Sequence, residues 1–561
     1  MSDLGARIVN AARVGLAIAV LLALPACHPA VAASNQQSMI EDDVAVMTNP
    51  AGTLSQLRLL GVQRVRLAVR WYYIAPSPHS GQMPRHFDGN DPASYPAGNW
   101  QIWDQIVRDA AQDGIGLDFD VMGGAPRWAL GSGAPPGNTN PNWEPSPGLY
   151  RQFVHALGVR YSGNYDPQKK RTVKDANDLP RVSFWSVWNE PDYGPSLAPQ
   201  GVPGDLTVEN SPRMYRNLVA AAWSSLAQTG HGHDTFIWGE LAPRGYPYWG
   251  VFSGMKPLTF LRALYCVDSN YRPLQGAAAA IRGCPTTAAG SRQFRALNAG
   301  LFQASGISDH PYMRWYQPNN EVQPDPQYTS LAEIGNLEWV ADRLQRVYGS
   351  NRRLPIWNTE FGYITTPPKH DNQYEPAKPH FEPWASQTTA AYYLNWAEYI
   401  SWRNPRVASF LQYLLQDPLP SLRSNDWGGF ASGLINYNGT AKATYYAWRL
   451  PLYLPRTTGR RGQRLEVWGC VRPAHYAIQD TTAAQTAEIQ FAPRSGGAYQ
   501  TLDSITIGSA SAGCYFDVRL RFPSSGWVRL KWSYPPGDPL LGDYAPNGHA
   551  VYSRVIGISL R

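Results

Sequence analysis

Between residues 38 and 445, short apolar runs alternate with stretches of helical periodicity. No other feature constrains the fold as tightly. The runs read as eight strands: Ser38–Asp43, Val65–Trp71, Gly116–Met122, Val182–Glu190, Phe236–Glu240, Gly306–Tyr312, Leu354–Glu360 and Val407–Tyr413. Helical spacing of apolar residues falls between them, at Gly52–Leu60 (closed by Gly61), Ile102–Asp113, Tyr150–Tyr161, Met214–Leu226, Ile334–Tyr348 and Thr388–Trp402. Strict alternation of strand and helix is the mark of a parallel sheet covered by helices, here a parallel barrel. An insertion spans Tyr246–Ala304 and carries the small-residue run Ala277–Ala280.

Two of the strands end in glutamate. The first reads Val182-Ser183-Phe184-Trp185-Ser186-Val187-Trp188-Asn189-Glu190-Pro191, and the second Leu354-Pro355-Ile356-Trp357-Asn358-Thr359-Glu360-Phe361-Gly362-Tyr363. A carboxylate at the end of a buried strand needs a partner or a cleft, because an unpaired buried charge is costly. In a parallel barrel the C-terminal strand ends carry the chemistry. Two carboxylates about 5–5.5 Å apart suit a retaining glycosidase, one as acid/base and the other as nucleophile.

Trp188-Asn189-Glu190-Pro191 resembles the acid/base signature of the clan A glycoside hydrolases, and Thr359-Glu360-Phe361-Gly362 resembles their nucleophile strand. The resemblance is to the group around families 39 and 5 and spans roughly residues 39–455. It implies a (β/α)8 barrel with the acid/base after strand 4 and the nucleophile at the end of strand 7. The order found here agrees. By this resemblance Glu190 is the general acid/base, Glu360 the nucleophile, and Asn189 a partner of the sugar 2-hydroxyl. Arg66 would keep the nucleophile ionised, since a nearby cation lowers a carboxylate pKa. His310 and Tyr312, at the end of strand 6, would contact the nucleophile or the sugar. Glu240 also ends a strand, as a sugar ligand or a rival acid. Trp71, Trp128, Trp315 and Trp427 are candidate stacking platforms, and Asp42 and Asp43 candidates for the inner subsite. No metal or organic cofactor is implied, because the reaction needs only two carboxylates and water.

Composition agrees with a carbohydrate partner. Charged residues are 16% of the chain, while there are 21 Trp and 32 Tyr. The net charge of +7 is spread out, with no basic run longer than that in Gln168–Arg171, so nucleic acid is not an expected partner. Residues 1–33 read as an export signal: Arg7 and Arg13 precede the apolar stretch Val14–Leu24. Leu24-Pro25-Ala26-Cys27 resembles a lipobox, which would anchor the protein to a membrane through Cys27. Cleavage after Ala30-Val31-Ala32, giving a freely secreted protein, is the competing reading. Export makes disulfides expected, and local spacing favours Cys266–Cys284 and Cys470–Cys514 over the other pairings.

Past Leu454-Pro455 the pattern changes. Short alternating strands at Leu465–Val471, Ala487–Phe491, Cys514–Phe522, Trp527–Ser533 and Val551–Leu560 suggest a β-sandwich-like domain. The expected organisation is thus a signal at 1–33, a catalytic barrel at 34–455 and an all-β domain at 456–561. Within it, a transglycosylase on the same site, or a silent carbohydrate-binding surface protein, remains an alternative to a hydrolase. The long connections after strands 5 and 7 lean the reading toward exo action.

Overall fold

The computed structural model describes residues 33–561 except 34, 136, 173, 249, 366–384, 419–429, 509–512 and 536–548. The export signal with Cys27, the platform candidate Trp427 and most of the loop after strand 7 lie outside the described residues. Eight parallel strands close into a barrel: β1 (Gln37–Glu41), β2 (Arg64–Arg70), β3 (Gly116–Met122), β4 (Phe184–Val187), β5 (Thr235–Leu241), β6 (Gly306–Asp309), β7 (Ile356–Asn358) and β8 (Val407–Tyr413). Each pairs with its neighbours in sequence, and β8 returns to β1. One helix or more follows each strand: α1 (Asp43–Thr48) and α2 (Pro50–Leu59) follow β1; α3 (Ala97–Asp113), α4 (Pro147–Arg160), α5 (Ser211–Gln228) and α6 (Pro257–Leu264) follow β2 to β5; α7 (Ile334–Val347), α8 (Gln387–Arg403) and α9 (Ala443–Arg449) follow β6 to β8.

Local chemistry explains the element ends. Ser146 accepts the Leu149 N–H at the start of α4, with Pro147 in its first turn, and Ser386 caps α8 through Thr389. After α2 the chain turns at Gly61, whose φ is +74°. A Cβ there would stand 2.3 Å from the Arg472 carbonyl carbon, so the position needs glycine for conformation and for closeness alike.

Five strands end earlier than the apolar pattern suggests, β2 by the single residue Trp71. β1 stops at Glu41 because Asp42 becomes the N-cap of α1, its carboxylate taking the Ala45 N–H at 2.9 Å. β4, β6 and β7 stop at Val187, Asp309 and Asn358, so Glu190, His310, Tyr312 and Glu360 lie on the loops just beyond them. The barrel interior is layered. Met39, Phe184, Ile237, Trp357 and Leu411 form an apolar plug toward the N-terminal strand ends. Above it, Arg66 sits level with Glu41 on β1 and Asp118 on β3, with Asp120 two residues further on.

Among its described residues the C-terminal region is all-β apart from one helix. A three-stranded sheet joins β9 (Leu452–Tyr453), β11 (Arg464–Cys470) and β14 (Tyr515–Arg521). A larger one joins β10 (Thr458–Gly459), β12 (Gln485–Ala492), β13 (Gln500–Ile507), β15 (Gly526–Ser533), β16 (Ala550–Tyr552) and β17 (Ile556–Leu560). Both bury side chains in one core, among them Val467, Phe516, Ile489, Leu530 and Trp532. The expected strand Val551–Leu560 is two, and β13 and helix α10 (Ala474–Thr481) appear where no element was read. This region docks on the barrel through polar contacts: Arg58 pairs with Asp480 at 2.5 Å, and the fully buried Glu398 and Arg472 pair at 2.5 Å. Cys266–Cys284 and Cys470–Cys514 are disulfides. Among the described residues no helix is long and apolar enough to cross a membrane.

Candidate active site

The loops beyond β4 and β7 bring Glu190 and Glu360 together. One carboxylate oxygen of each, with a ring nitrogen of His310, lies within 4.8 Å of the others. Between β4 and Glu190 the backbone enters the left-handed region twice, at Trp188 (φ 63°) and Glu190 (φ 42°). Such conformations are costly for residues other than glycine, and they cluster where function over-determines the backbone. Trp188 is held down by its indole N–H, which donates to the Ser196 carbonyl at 2.7 Å. It also packs on Gly123, where a Cβ would come within 2.8 Å of its ring.

A dense charge network supports the pair. The Arg66 guanidinium donates to Glu360 at 3.0 Å, Asp120 at 3.0 Å, Glu240 at 2.9 Å and the Asn189 side-chain oxygen at 2.8 Å, and it also pairs with Glu41. Burial works against its charge, yet Glu240, Glu41, Asp120 and Glu360 together hold it firmly protonated. His310 bridges two glutamates, with Nδ1 3.1 Å from Glu190 and Nε2 2.9 Å from Glu240. Burial alone would strip its proton, but Glu360, Glu190 and Glu240 outweigh it and keep the ring an imidazolium well above the ordinary histidine range. Both ring nitrogens therefore donate. Glu360 is raised by burial, against which His310 and Arg66 act, and it accepts the Tyr312 hydroxyl at 3.0 Å.

Glu240 is not on the cleft. It is fully buried, and its Oε2 accepts from Arg66, from His310 and from the Thr359 hydroxyl at 2.9 Å. Burial would raise it, but Arg66 and His310 drive it down to about 2, so it stays charged and has no proton to give. As a sugar ligand or rival acid it is thereby corrected. Three more acids line the same interior. Burial pushes Asp118 up to about 7, and Asp120 and Asp309 up to about 8.

The remaining expected residues divide cleanly. Trp315 lines a cleft of about 560 Å3 with Glu190, Tyr312, Tyr193, Tyr246 and Phe430. Trp71 is 1% exposed and stacked on Phe153 in the core, so it is no platform. Trp128 packs edge-on against Trp71 and donates its N–H to the Pro76 carbonyl at 3.0 Å. Asp42 is spent as a cap and accepts a second N–H, from Gln416, at 2.9 Å. Asp43 accepts the Ala68 N–H at 3.0 Å.

Sequence reasoning missed Glu41, Asp118, Asp120 and Thr359. Charged residues inside otherwise apolar strands, at the register of Arg66 (Glu41, Asp118) or two residues beyond it (Asp120), are the signal that marks the first three. The Glu190–His310–Glu360 trio has the spacing of a metal site. A ring protonated on both nitrogens has no lone pair to offer a cation, and Arg66 already stands beside Glu360, so the trio fits proton transfer better than a cation.

No protein-family model matches the chain, and no curated protein matches it. Among solved structures it is similar to a family 39 glycoside hydrolase from the gut symbiont Bacteroides cellulosilyticus WH2, at 14% identity over 88% of this chain and 82% of that one, with a TM-score of 0.45. It is also similar to a glucosidase from Croceicoccus marinus (12% identity, 88% and 95% covered, TM-score 0.42) and to a family 1 b-glucosidase from Thermotoga maritima (13%, 72% and 86%, 0.41). At these identities the barrel rests on its own strand pairings, not on the likenesses.

Proposed function

We propose that this chain is a retaining glycoside hydrolase acting on a polysaccharide or oligosaccharide. The observation that carries the reading is the approach of one Glu190 and one Glu360 carboxylate oxygen to within 4.8 Å, beside the cleft that Glu190 lines. So close an approach supports the retaining spacing of about 5–5.5 Å over the about 6.5–9.5 Å of an inverting pair. In the first step a Glu360 oxygen bonds to the anomeric carbon as the glycosidic C–O bond breaks, and Glu190 gives its proton to the departing oxygen. In the second, Glu190 takes a proton from water, whose oxygen bonds to the anomeric carbon and releases Glu360. Arg66 and Tyr312 hold Glu360 in place and disperse its charge. Asn189, with its oxygen engaged by Arg66, presents its NH2 group to the sugar 2-hydroxyl. His310 orients Glu190.

A chain-end mode of attack is part of the proposal. Tyr246 and Pro247 from the β5 connection, Trp315 and Tyr328 beyond β6, and Ile364 and Phe430 wall the cleft, and its volume is that of a site for a few sugar units. Export is supported by the two disulfides, and anchoring through Cys27 by the lipobox. A panel of aryl glycosides and glycans tests the activity: turnover is expected in the wild-type chain and is lost in Glu360→Ala. Viscosity and reducing ends followed together on a soluble polymer test the mode. A fast fall in viscosity with few new ends would mean mid-chain cleavage.

A further inference from the structure

A second cavity, of about 930 Å3, opens on the same face of the barrel, beyond the ends of β2 and β3. Its lining includes Arg70, Arg127, His79, Tyr73, Asn138 and Trp143, and no carboxylate. The guanidinium of Arg127 is exposed and has no ion-pair partner among the described residues. Arg70 has only a distant one, Asp43 at 3.9 Å, beyond hydrogen-bond reach. Glu144 packs against Gly131 of the lining but is not itself part of it.

Two buried donors in the wall are unsatisfied. The Trp143 indole N–H, on a side chain 2% exposed, and the Asn138 amide nitrogen find no acceptor among the described residues. A buried donor without an acceptor costs free energy that a bound oxygen would recover, and these two differ from the unpaired indoles of the core in belonging to residues that line a cavity. Tyr73, 58% exposed, adds an aromatic face of the kind that sugars stack on. One wall joins this cavity to the catalytic cleft. Trp143 packs 6.0 Å from Phe252, and the segment carrying Phe252 lies tight against Gly194 and Tyr193, the latter lining the cleft. The cleft itself is lined by Arg244, which pairs with Glu321, and by Arg314, and among the described residues its one lining carboxylate is Glu190.

We infer that the β2–β3 cavity is a remote subsite for a carboxylate-bearing sugar, so that the substrate is an acidic glycan containing uronate units. The forked guanidinium matches a planar carboxylate with two parallel hydrogen bonds, and the Trp143 and Asn138 donors supply what its remaining lone pairs, or the sugar's ring hydroxyls, would accept. The inference deepens the glycosidase reading and rests on it for the ligand being a glycan.

The test is calorimetric binding at low salt to the full chain carrying Glu360→Gln, so that no probe is consumed. The probes are short oligogalacturonates, oligoglucuronates and oligomannuronates, each beside its neutral methyl ester, with a sulfated neutral oligosaccharide as a further arm. At least one free acid is expected to bind about tenfold or more tightly than its ester, as a charge-assisted hydrogen bond implies. That preference should shrink in Arg127→Gln and in Arg70→Gln and fade with added salt. No preference for any free acid, or a preference that survives both substitutions, overturns the inference. A preference confined to the sulfated probe overturns it too, since it assigns the cavity to sulfate esters. Cleavage of neutral glycosides, assayed separately on the wild-type chain, keeps the two readings apart. Acid-selective binding with no cleavage of any glycoside leaves the subsite standing and removes the hydrolase, and cleavage without acid selectivity does the reverse.

Discussion

At the scale of single residues, the site is an exercise in separating three glutamates that look alike in sequence. Glu190, Glu240 and Glu360 all follow apolar strands. Their position relative to the strand ends separates them. Glu190 and Glu240 both sit at positive φ, 42° and 46°, but Glu190 lies on the loop beyond β4 and reaches the cleft, whereas Glu240 stays within β5, tied to Arg66, His310 and Thr359. Sequence reading reached Glu190 and Glu360 because the Asn-Glu-Pro and Thr-Glu-Phe-Gly tags mark them. It had no means of telling that Glu240 and Trp71 point into the interior, because a buried and a cleft-facing side chain at a strand end have the same neighbours in sequence. Glu240 is a positioning residue in this account. Glu240→Gln removes one of the charges that hold His310 protonated, so turnover is expected to fall about 10- to 100-fold, a fraction of what acid–base catalysis contributes. Nitrogen-15 NMR should show the His310 ring titrating at lower pH than in the wild type. An unchanged titration with lowered turnover would mean that Glu240 acts by packing alone.

At the scale of elements, the alternation of strand and helix was legible throughout the barrel because each strand is buried on both faces and each helix buries one. β3 and β8 match their expected limits to the residue, and β4, β6 and β7 were over-read because their last residues leave the ladder to carry chemistry. β13 was missed because most of its residues stay exposed on an edge strand, which leaves little apolar signal. The connection after β5 is stapled by Cys266–Cys284. Serine at both positions is expected to cost about 2–4 kcal/mol, the entropy of opening a short loop, and denaturant unfolding measures it. On the far side of the cleft, Lys442 is fully buried and donates to Asp417 at 2.7 Å and to Thr365 at 2.8 Å. It joins the α9 start to the loops that follow β7 and β8. Lys442→Met leaves the Asp417 charge buried without its partner and should destabilise by about 3–5 kcal/mol. If the cleft wall depends on this clamp, KM for an oligosaccharide should rise more than kcat falls.

At the scale of the whole molecule, the barrel interior holds more acid than its cations can neutralise, and pH is the lever on it. Burial raises Asp118 to about 7, and Asp120 and Asp309 to about 8, against about 3.9 in an unfolded chain. His310 is raised as well, by the carboxylates that outweigh its burial. In the range where the folded protein binds more protons than the unfolded chain, stability falls as pH rises. The melting temperature is therefore expected to drop between about pH 6 and pH 8, over the upper part of that window. Asp309→Asn, neutral at every pH, should flatten the drop, and an equally steep profile in that variant would remove Asp309 from the cause. The all-β region adds its own grip through Glu398 and Arg472, a pair that sequence could not join because the two residues lie on separate modules. What remains central is the double displacement. Glu360→Ala, given azide and a substrate that the wild type cleaves, is predicted to form a glycosyl azide of inverted configuration, because azide fills the space of the lost carboxylate. A Glu360→Ala chain that still hydrolyses that substrate without azide, or a wild-type first product with inverted configuration by proton NMR, would contradict the account.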